Sequence, residues 1–561
     1  MDHNELEYDS WGRGADAFDD TTIAIGIDFG TTNSCVGVWL KDQNRVKIFK
    51  HGIETKWSHL LPSVVRYDPV DISLVLVGKE AIELESKPPC KNTIRCVKRL
   101  MGQKYVNDRI AYLQSSSIYE IVSTQRGNAA IQIDGDHGDD KRTSVEPEEV
   151  AAHILIKLKA RAEAYFDHKA IENVVLTVPA HFNDGQRKAT IRAASMAGFK
   201  KIRLLNEPTA AAMAYGLFIA GKKQVLVFDF GGGTLDVSLM QIHEGRFRVV
   251  AIGGDTNLGG EDINQMIIDH ILQSFEEKEG ILQLTIDQKA AMKQSIEQAK
   301  IQLSNAMEAV IKFEHKTTWR QYALSRDVFE SICDSVWTRC ISTIQGVLQD
   351  ASVDPCDVDE VVMVGGSTRI PKLRSKISEV FDNKALCESV NADQVVCEGA
   401  AIQAAVLSGM DRKVLQDVLM LDVIPLSMGL ETADGRMEVI LPKNSQIPAQ
   451  VTKYFQTFED DQRGISVDVY EGEHPIAREN EHICRFDFPI PTSKIDTAGR
   501  IFHPVTFRMN ENGVLHVTAG IHHPSEEAPM SKSAIALMIL YAVCLLVLYV
   551  TLRIYFASER L

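Results

Sequence analysis

The sequence has no excess of positive charge, and this is its most informative absence. Its 561 residues include 60 Lys and Arg against 76 Asp and Glu, which gives a formal net charge of −16. Proteins that bind nucleic acids normally present a basic surface, so this balance excludes nucleic acid as the partner. The ten cysteines form no CxxC pair and no Cys/His cluster at zinc spacing. They are therefore interpreted as reduced core thiols, Cys35 and Cys397 among them, and not as a disulfide framework or a metal site.

Two further absences concern the ends of the chain. Residues 1–20 contain no apolar run, which excludes a signal or transit peptide, and their many acids predict a disordered leader. Residues 533–552 contain no charge and are flanked by Lys532 and Arg553. An uncharged segment of this length matches a transmembrane helix. A buried core helix is the alternative, although it would normally carry a polar face. We expect a membrane anchor, followed by a short tail at 553–561.

A repeated pattern dominates the interior of the sequence. Residues 25–39 and 225–239 each place Asp-Phe-Gly and hydroxyl residues between two apolar strands, the first with Asp28 and the second with Asp229. Glycine lets the backbone approach a phosphate, hydroxyls and amides donate to its oxygens, and a carboxylate faces Mg²⁺ or its waters. One such hairpin is usually only a turn. Two copies predict a duplicated α/β lobe, with a phosphate loop on each side of a cleft.

Three other segments suit a phosphate cleft. Lys98 and Arg99 interrupt an apolar segment. Such a pair usually ends a helix in solvent, but near phosphates one of them can neutralise the γ-phosphate or steer the attacking water. Glu207 follows an apolar strand, at the edge where open α/β sheets bind ligands, although an N-capping turn fits the same pattern. Gly365 and Gly366 follow a buried strand, and the amides of this turn can close over a phosphate or ribose.

The remaining segments differ from one another in composition and in the structure they predict. Residues 105–142 are polar, and we expect them to be irregular. Residues 417–422 place four apolar residues between two acids, too short for a core helix and too apolar for an ordinary linker. After Pro425, short alternating strands separated by Gly, Asp and Pro predict a small all-β domain. Residues 522–532 form a polar stalk before the uncharged segment.

In combination, these segments resemble the heat-shock protein 70 (DnaK-type) chaperone family. The resemblance covers about residues 23–518 and rests on five motifs in the family's order, at 27–34, 206–211, 229–234, 365–371 and 417–422. It implies an α/β actin-like fold whose duplicated ribonuclease H-like lobes form an ATPase, followed by a small all-β sandwich. The uncharged segment at 533–552 adds one C-terminal transmembrane helix to this expected fold. The corresponding domains are 21–412 for the ATPase, 413–423 for the interdomain linker and 424–521 for a peptide-binding sandwich.

The resemblance also implies roles for individual residues. Catalysis would use Lys98 to position the attacking water, together with Asp28, Glu207, Asp229 and Thr234. The metal ion would be held by Asp28, Asp229 and Asp236. The nucleotide would be bound by Gly30, Thr31, Thr32, Asn33, Gly231, Gly232, Gly233, Glu297, Lys300, Ser304, Gly365, Gly366, Ser367 and Arg369. Peptide would contact Leu430, Ala433, Phe455, Phe458, Ile465 and Val467. Allosteric coupling and J-domain binding would involve Pro179, Arg187, Arg203, Asn206, Thr209 and Asp422.

The same resemblance implies cofactors and partners. The cofactors are ATP or ADP and Mg²⁺, with K⁺ as a further candidate. The partners are unfolded or extended client polypeptides, a J-domain co-chaperone and a nucleotide exchange factor. Peptide capture would rest on main-chain hydrogen bonds and one apolar side-chain pocket.

Two positions depart from the family's pattern. Many members have an Arg after the lysine that Lys300 matches, where it stacks on adenine. Ile301 occupies that place and forgoes the cation–π interaction, which predicts weaker nucleotide affinity and faster exchange. After Thr518 the family normally continues with a last strand and a helical lid, whereas here a short stalk precedes the uncharged segment. Without a lid, bound peptide is expected to leave quickly.

These observations support one hypothesis and leave alternatives. The first is a membrane-anchored, ATP-dependent chaperone of the heat-shock protein 70 type that controls binding of extended apolar peptides at a membrane surface. An anchor so near the last residue predicts tail-anchored insertion with the ATPase in the cytosol. Positive charge flanks both ends of the span, so charge does not choose the membrane. The long span and weakly charged tail favour the endoplasmic reticulum over the mitochondrial outer membrane.

The alternatives belong to other classes. One is a membrane-tethered scaffold, or a nucleotide-dependent co-chaperone or exchange factor, with little turnover. The intact Lys98 and Asp229 argue against it, and Ile301 with the missing lid argues for it. Another is a sugar kinase of the actin-like superfamily, which would need neither the β domain nor the apolar linker.

Overall fold

The computed structural model of the chain describes most of its length. The described residues are 23–519, except 52–57, 86–89, 106–107, 136–142, 218–220, 281–283, 316–317, 388–389, 411–414, 416–417, 457–459 and 490–501. The predicted leader at 1–20, stalk at 522–532, anchor at 533–552 and tail at 553–561 lie outside them, as does Phe458. Among the described residues, no helix has both the length and the apolar character that a membrane crossing requires.

The first lobe contains residues 23–216. Its strands are β1 (Ala24–Asp28), β2 (Asn33–Leu40), β3 (Arg45–Ile48), β4 (Leu61–Pro62), β5 (Val65–Tyr67), β6 (Val75–Val77), β7 (Thr93–Ile94), β8 (Glu120–Ser123), β9 (Ala129–Ile133), β10 (Thr143–Val145), β11 (Asn173–Val178) and β12 (Lys201–Asn206). Its helices are α1 (Lys79–Glu83), α2 (Asp108–Ser116), α3 (Pro147–Tyr165), α4 (Asp184–Met196) and α5 (Glu207–Gly216). The main sheet has the order β12-β11-β1-β2-β3, with β4 paired to β2.

The second lobe contains residues 222–407. Its strands are β13 (Lys222–Phe230), β14 (Leu235–His243), β15 (Arg246–Asp255), β16 (Glu308–His315), β17 (Thr318–Ser325) and β18 (Glu360–Val364). Its helices are α6 (Gly260–Glu279), α7 (Ile286–Leu303), α8 (Arg326–Ile332), α9 (Asp334–Ala351), α10 (Pro371–Val380) and α11 (Val395–Leu407). The last of these returns to the first lobe and packs on β1 and β2.

The two lobes repeat one arrangement of strands. In the first, β1 pairs antiparallel with β2 and parallel with β11. In the second, β13 pairs antiparallel with β14 and parallel with β18. This confirms the predicted duplication and the mixed α/β class. It also places the turn after β1 and the turn after β13 at equivalent edges of the two sheets.

Small residues bring the two lobes together. Helices α5 and α11 pack against each other so closely that a Cβ on Gly399 would lie 1.8 Å from the carbonyl oxygen of Ala210. A Cβ on Gly26 would lie 2.1 Å from the backbone nitrogen of Ala401. The Ala-rich sequence of both helices therefore serves close packing. This contact joins residues of both sheets in one buried core.

About the last fifth of the described chain is a β domain joined through a docked strand. Its strands are β19 (Leu419–Val423), β20 (Met428–Glu431), β21 (Met437–Leu441), β22 (Gln446–Ile447), β23 (Ala449–Gln456), β24 (Gly464–Glu471), β25 (Glu481–Pro489), β26 (Phe502–Met509) and β27 (Leu515–Ala519). Two sheets, β21-β20-β24-β25 and β23-β26-β27, enclose a separate apolar core, which confirms the predicted all-β unit. Residues 419–423 of the predicted linker form strand β19, which extends the edge of the second lobe's sheet by pairing parallel with β15.

One expectation about the first lobe was wrong. Residues 105–142, expected to be irregular, contain helix α2 and strands β8 and β9. Their polar character reflects amphipathic elements at the surface, since Ile110, Leu113, Ile121 and Ile131 are buried in the lobe's core. Elements this short give a weak periodic signal.

Candidate functional site

A cleft of ≈ 640 Å³ lies between the two lobes. Both Asp-Phe-Gly turns open into it, and so does the turn after β18. Sequence-predicted residues that line it are Asp28, Gly30, Thr31, Thr32, Asn33, Lys98, Glu207, Asp229, Gly231, Gly232, Gly233, Thr234, Glu297, Lys300, Ser304, Gly365, Gly366, Ser367 and Arg369. Residues that are up to about 340 positions apart in the chain therefore converge on one cavity, as expected for equivalent turns of duplicated lobes.

The two glycine-containing turns touch each other across the cleft. A Cβ on Gly232 would lie 2.0 Å from Thr32 Oγ1, and one on Gly233 would lie 2.5 Å from Thr31 Oγ1. At Gly231, in contrast, a Cβ would meet no atom within 4 Å, so this part of the turn faces open space. The geometry leaves backbone amides and threonine hydroxyls around the opening, which is the donor set that phosphate oxygens require.

Lys98 lies at the base of the cleft in a fixed position. Its Nζ donates to the carbonyl oxygen of Phe29 and to Glu207 Oε1. The side chain is 3% exposed, and that of Glu207 is 10% exposed. Glu207 is the first residue of α5 and directly follows β12, so the strand end and Pro208 aim its carboxylate at the lysine. Neither Lys98 nor Arg99 ends a helix in solvent, so that interpretation of the Lys-Arg pair is wrong.

The carboxylates beside Lys98 are crowded and buried. Burial and the charge of Glu207 raise the pKa of Asp28 to about 7, against the opposing effects of Lys98 and a hydrogen bond from Thr177. Burial and the charge of Glu207 likewise raise the pKa of Asp236 to about 7. Burial raises the pKa of Asp229 well above its ordinary value. One lysine faces four carboxyl groups, so the cluster has a deficit of positive charge.

A divalent cation fits this deficit. Asp28 and Asp229 line the cleft, whereas Asp236 lies outside its lining, directly across the β13–β14 hairpin from Asp229. Asp236 Oδ1 accepts from His181 N, and its Oδ2 has no hydrogen-bond partner among the described residues. Within the same residues no three His, Cys, Asp or Glu side chains form a complete metal cage. Mg²⁺ commonly takes one or two carboxylates plus waters and substrate phosphates, so the donor set suits Mg²⁺.

The opposite end of the cleft is lined by α7 and the turn after β18. Lys300 Nζ donates to Glu297 Oε2 at 2.7 Å and to the carbonyl oxygen of Gly260 at 2.9 Å. Ser367 Oγ donates to the carbonyl oxygen of Gly231 at 2.9 Å. Ile301 also lines the cleft and is 60% exposed. An exposed aliphatic side chain at this place offers a nucleotide base an apolar contact but no positive charge.

Sequence reasoning missed two features here, the contact of Arg99 with the second lobe and the position of Asp393 at the cleft. Arg99 crosses from the first lobe to the second, where it donates to Asp262 and to the carbonyl oxygen of Gly233. Arg369 pairs with Asp393 at 2.7 Å, and Asp393 also lines the cleft. The adjacent Lys-Arg pair was the available signal for Arg99. Asp393 lies in no motif and gave no signal.

Comparisons with known proteins agree with this geometry. The sequence profile of the family described as "Hsp70 protein" matches residues 24–535. The chain belongs to the Hsp70 family. It is 37% identical over 511 residues to heat shock cognate 70 kDa protein 3 of Dictyostelium discoideum, covering 88% of this chain and 78% of that protein. It is 38% identical over 504 residues to the heat shock 70 kDa protein of Neurospora crassa, covering 88% and 75%.

A third relative is longer. The heat shock protein 70 homolog of Acanthamoeba polyphaga mimivirus is 37% identical over 521 residues, which are 89% of this chain and 54% of the viral protein. Hsp70 proteins are ATPases that bind ATP or ADP with Mg²⁺ and act as chaperones with client polypeptides and co-chaperones. The family confirms the predicted actin-like α/β fold class.

The Hsp70 residues predicted for interdomain coupling lie where the β domain meets the first lobe. Arg187 is 3% exposed and donates to Asn206 Oδ1 at 2.9 Å and to the carbonyl oxygen of Asn512 in the β domain at 3.3 Å. Thr209 Oγ1 donates to Asp422 Oδ2 of the linker strand at 3.1 Å. Pro179 is buried nearby, after β11. Arg203 lies on the edge strand β12 and is half-buried.

The residues predicted for peptide binding lie in the β domain. Leu430 and Val467 belong to its buried core, and Phe455 and Ile465 pack against that core. Ala433 is exposed in the turn after β20. Four of the six positions therefore form one apolar cluster. Their exposures of 3% for Leu430 and 7% for Val467 describe filled space, so a peptide pocket stays a prediction.

Proposed function

We propose that the chain is a membrane-anchored Hsp70-type ATPase that hydrolyses ATP to control its hold on extended apolar segments of client polypeptides. The observation that carries the proposal is Lys98, held by Phe29 and Glu207 at the base of a cleft between two facing phosphate turns. A buried lysine with this support can hold a water in line with a terminal phosphate. Uncharged apolar residues at 533–552 support the anchor.

The side chains divide the work as follows. Amides of the two turns and the hydroxyls of Thr31 and Thr234 bind phosphate oxygens. Asp28 and Asp229 would hold Mg²⁺, which when bound offsets charge on the phosphates. Glu207 fixes the ammonium group of Lys98, and Lys98 orients the attacking water. Closure of the lobes excludes bulk water from this arrangement.

Signalling to the β domain is proposed to run through the docked linker. Strand β19 completes the edge of the second lobe's sheet, and Asp422 reaches Thr209 in the first lobe. A relative movement of the lobes would break these contacts, because strand β19 contacts both lobes. Client binding, a J-domain partner on the Arg203 surface and an exchange factor are proposed on the family's pattern. The cytosol is the proposed location of the ATPase, at the endoplasmic reticulum membrane.

Single-turnover hydrolysis of ATP by the full chain in mild detergent tests the proposal. Hydrolysis is expected to be slow alone, to rise with a J-domain and an apolar peptide, and to be lost in Lys98→Ala. Lys104→Ala is the matched control, since Lys104 is exposed and its Nζ donates only to Asn128 Oδ1 at 2.8 Å among the contacts described for it. Equal rates in both variants would overturn the role given to Lys98.

A tethered scaffold with little turnover is the second candidate, favoured by the exposed Ile301 at the cleft. It predicts ATP binding without stimulation by J-domain or peptide and without an effect of Lys98→Ala. Titration of a fluorescent ATP analogue beside the hydrolysis assay separates the two candidates, because only the first couples binding to turnover.

A further inference from the structure

Glu471 is a buried acid at the contact between the β domain and the first lobe. It is the last residue of β24 and is 2% exposed. Its Oε2 accepts from the backbone N–H of Asp184, the first residue of α4, at 3.2 Å. Its Oε1 is buried and has no hydrogen-bond partner within the described part of the chain. A carboxylate in such a place loses its hydration and gains only one hydrogen bond.

The charged groups around Glu471 do not neutralise it. Asp184 carries a second buried carboxyl group, which accepts from Leu515 N at 2.9 Å and pairs with Lys188 at 2.6 Å. Arg187 also faces the contact, but its described hydrogen bonds go to uncharged oxygens of residues 180, 182, 206 and 512. Glu481 lies opposite Glu471 on strand β25. Two acids and one already committed guanidinium therefore face the group.

The titration of Glu471 reflects this setting. Burial raises its pKa to about 8. The N–H of Asp184 and the charge of Arg187 lower the pKa, whereas the carboxyl groups of Asp184 and Glu481 raise it. When the domains separate, water reaches the carboxyl group and Asp184 moves away. Its pKa then returns towards the ordinary value for glutamate, about 4.3.

We propose that docking of the β domain onto the first lobe takes up a proton at Glu471, so that the interdomain contact weakens as pH rises through the neutral range. The docked form binds the proton and the separated form releases it. The stabilisation of docking by this proton is fully present at pH values below the pKa of Glu471 in the separated form. It is lost as the pH rises through the pKa of Glu471 in the docked form. Linkage of one proton changes the docking constant by up to about tenfold per pH unit between the two values.

Hydrogen exchange of the full chain, without nucleotide, measures this dependence. The N–H of Leu204 donates to Asn512 Oδ1, and that of Leu515 donates to Asp184 Oδ1, so both amides report on the docked contact. Protection factors corrected for intrinsic exchange are compared at pH 6.5 and pH 8. From the two pKa values, the contribution of Glu471 to protection falls by about 15-fold over this interval.

Glu471→Gln keeps the shape of the side chain and removes its titration. The difference in pH dependence between wild type and Glu471→Gln isolates this residue, because other titrating groups contribute equally to both. Glu481→Gln is the matched control, since Glu481 is exposed on the neighbouring strand, and it is expected to keep most of the wild-type slope. The same slope in wild type and Glu471→Gln overturns the proposal.

A second variant keeps the test decisive if Glu471→Gln fails to fold. Asp184→Asn removes the carboxylate that faces Glu471 while its Oδ1 can still accept from Leu515 N. The midpoint of the pH dependence is then expected at a lower pH than in wild type. An unchanged or higher midpoint contradicts the assignment to Glu471. The experiment reports on docking alone, so its outcome is independent of whether the chain hydrolyses ATP.

Discussion

Replacement of Arg99 by Ala is expected to accelerate release of nucleotide from the cleft. Arg99 belongs to the first lobe, yet it donates to Asp262 and to the carbonyl oxygen of Gly233 in the second. The side chains of Arg99 and Asp262 are 6% and 9% exposed. Arg99→Ala leaves the buried carboxylate of Asp262 without its cation. Opening the lobes exposes this carboxylate to water, so the variant favours the open form. Opening the lobes is also the route by which a bound nucleotide leaves.

The magnitude follows from the remaining partners of Asp262. Breaking a buried ion pair commonly costs about 3–5 kcal/mol. Asp262 keeps hydrogen bonds from Gly259 N at 2.7 Å and Tyr112 Oη at 2.7 Å, so we take the lower end. About 3 kcal/mol in favour of the open form corresponds to roughly 100-fold faster release. Arg99→Lys retains the charge but not the fork of donors, and an intermediate rate is expected.

Release of a fluorescent ADP analogue, chased with excess ATP in a stopped-flow instrument, measures the effect. Arg95→Ala is the matched control, because Arg95 and Arg99 both line a second cavity, separate from the nucleotide cleft, but Arg95 pairs with Glu85 of its own lobe, with both bonds at 2.6 Å. Its release rate is expected to stay within about threefold of wild type, since a pair within one lobe does not oppose the opening of the two lobes. Equal acceleration of release in Arg95→Ala and Arg99→Ala would contradict the conclusion that Arg99 holds the two lobes together.

Three further predictions concern other parts of the molecule. Gly232→Ala is expected to abolish ATP binding without unfolding the chain, because the new methyl group would lie 2.0 Å from Thr32 Oγ1; calorimetric titration and circular dichroism check both halves. Ile301→Arg is expected to tighten ATP binding several-fold, since a cation over adenine adds about 0.5–2 kcal/mol, and an unchanged Kd in fluorescence titration would contradict this. Burial lowers the pKa of His51 to about 4, so the unfolded chain binds a proton below about 6.5 that the folded chain does not. Stability is therefore expected to fall by about 2 kcal/mol from pH 7.5 to pH 5, and His51→Gln should remove this loss in urea unfolding.

The sequence predicted which residues meet at the cleft better than it predicted the surroundings of that cleft. The Asp-Phe-Gly turns, Lys98 and Glu207 lie in segments whose local pattern requires a turn or a strand end, and the structure places all of them at one cleft. The linker was predicted as a segment but not as a strand. Three of its apolar residues, Leu419, Met420 and Leu421, pair with β15, which offers an edge with unpaired backbone groups.

Adjacent residues show where sequence reasoning ends. Lys98 and Arg99 look alike in the sequence, yet one lies within the first lobe and the other reaches the second. Asp229 and Asp236 belong to one hairpin, but only Asp229 lines the cleft. In each case the difference depends on which distant backbone faces the side chain.

The sequence by itself determined the duplicated α/β lobes, the all-β domain and the class of chemistry, because turns, apolar periodicity and phosphate motifs are local properties of the chain. The tertiary structure alone decided the partners of the buried charges. Glu207 lies 109 positions from Lys98, and Asp184 accepts a hydrogen bond from Leu515, 331 positions away. Burial in a medium of low dielectric constant strengthens such contacts, and burial is a property of the packed lobes and not of any segment.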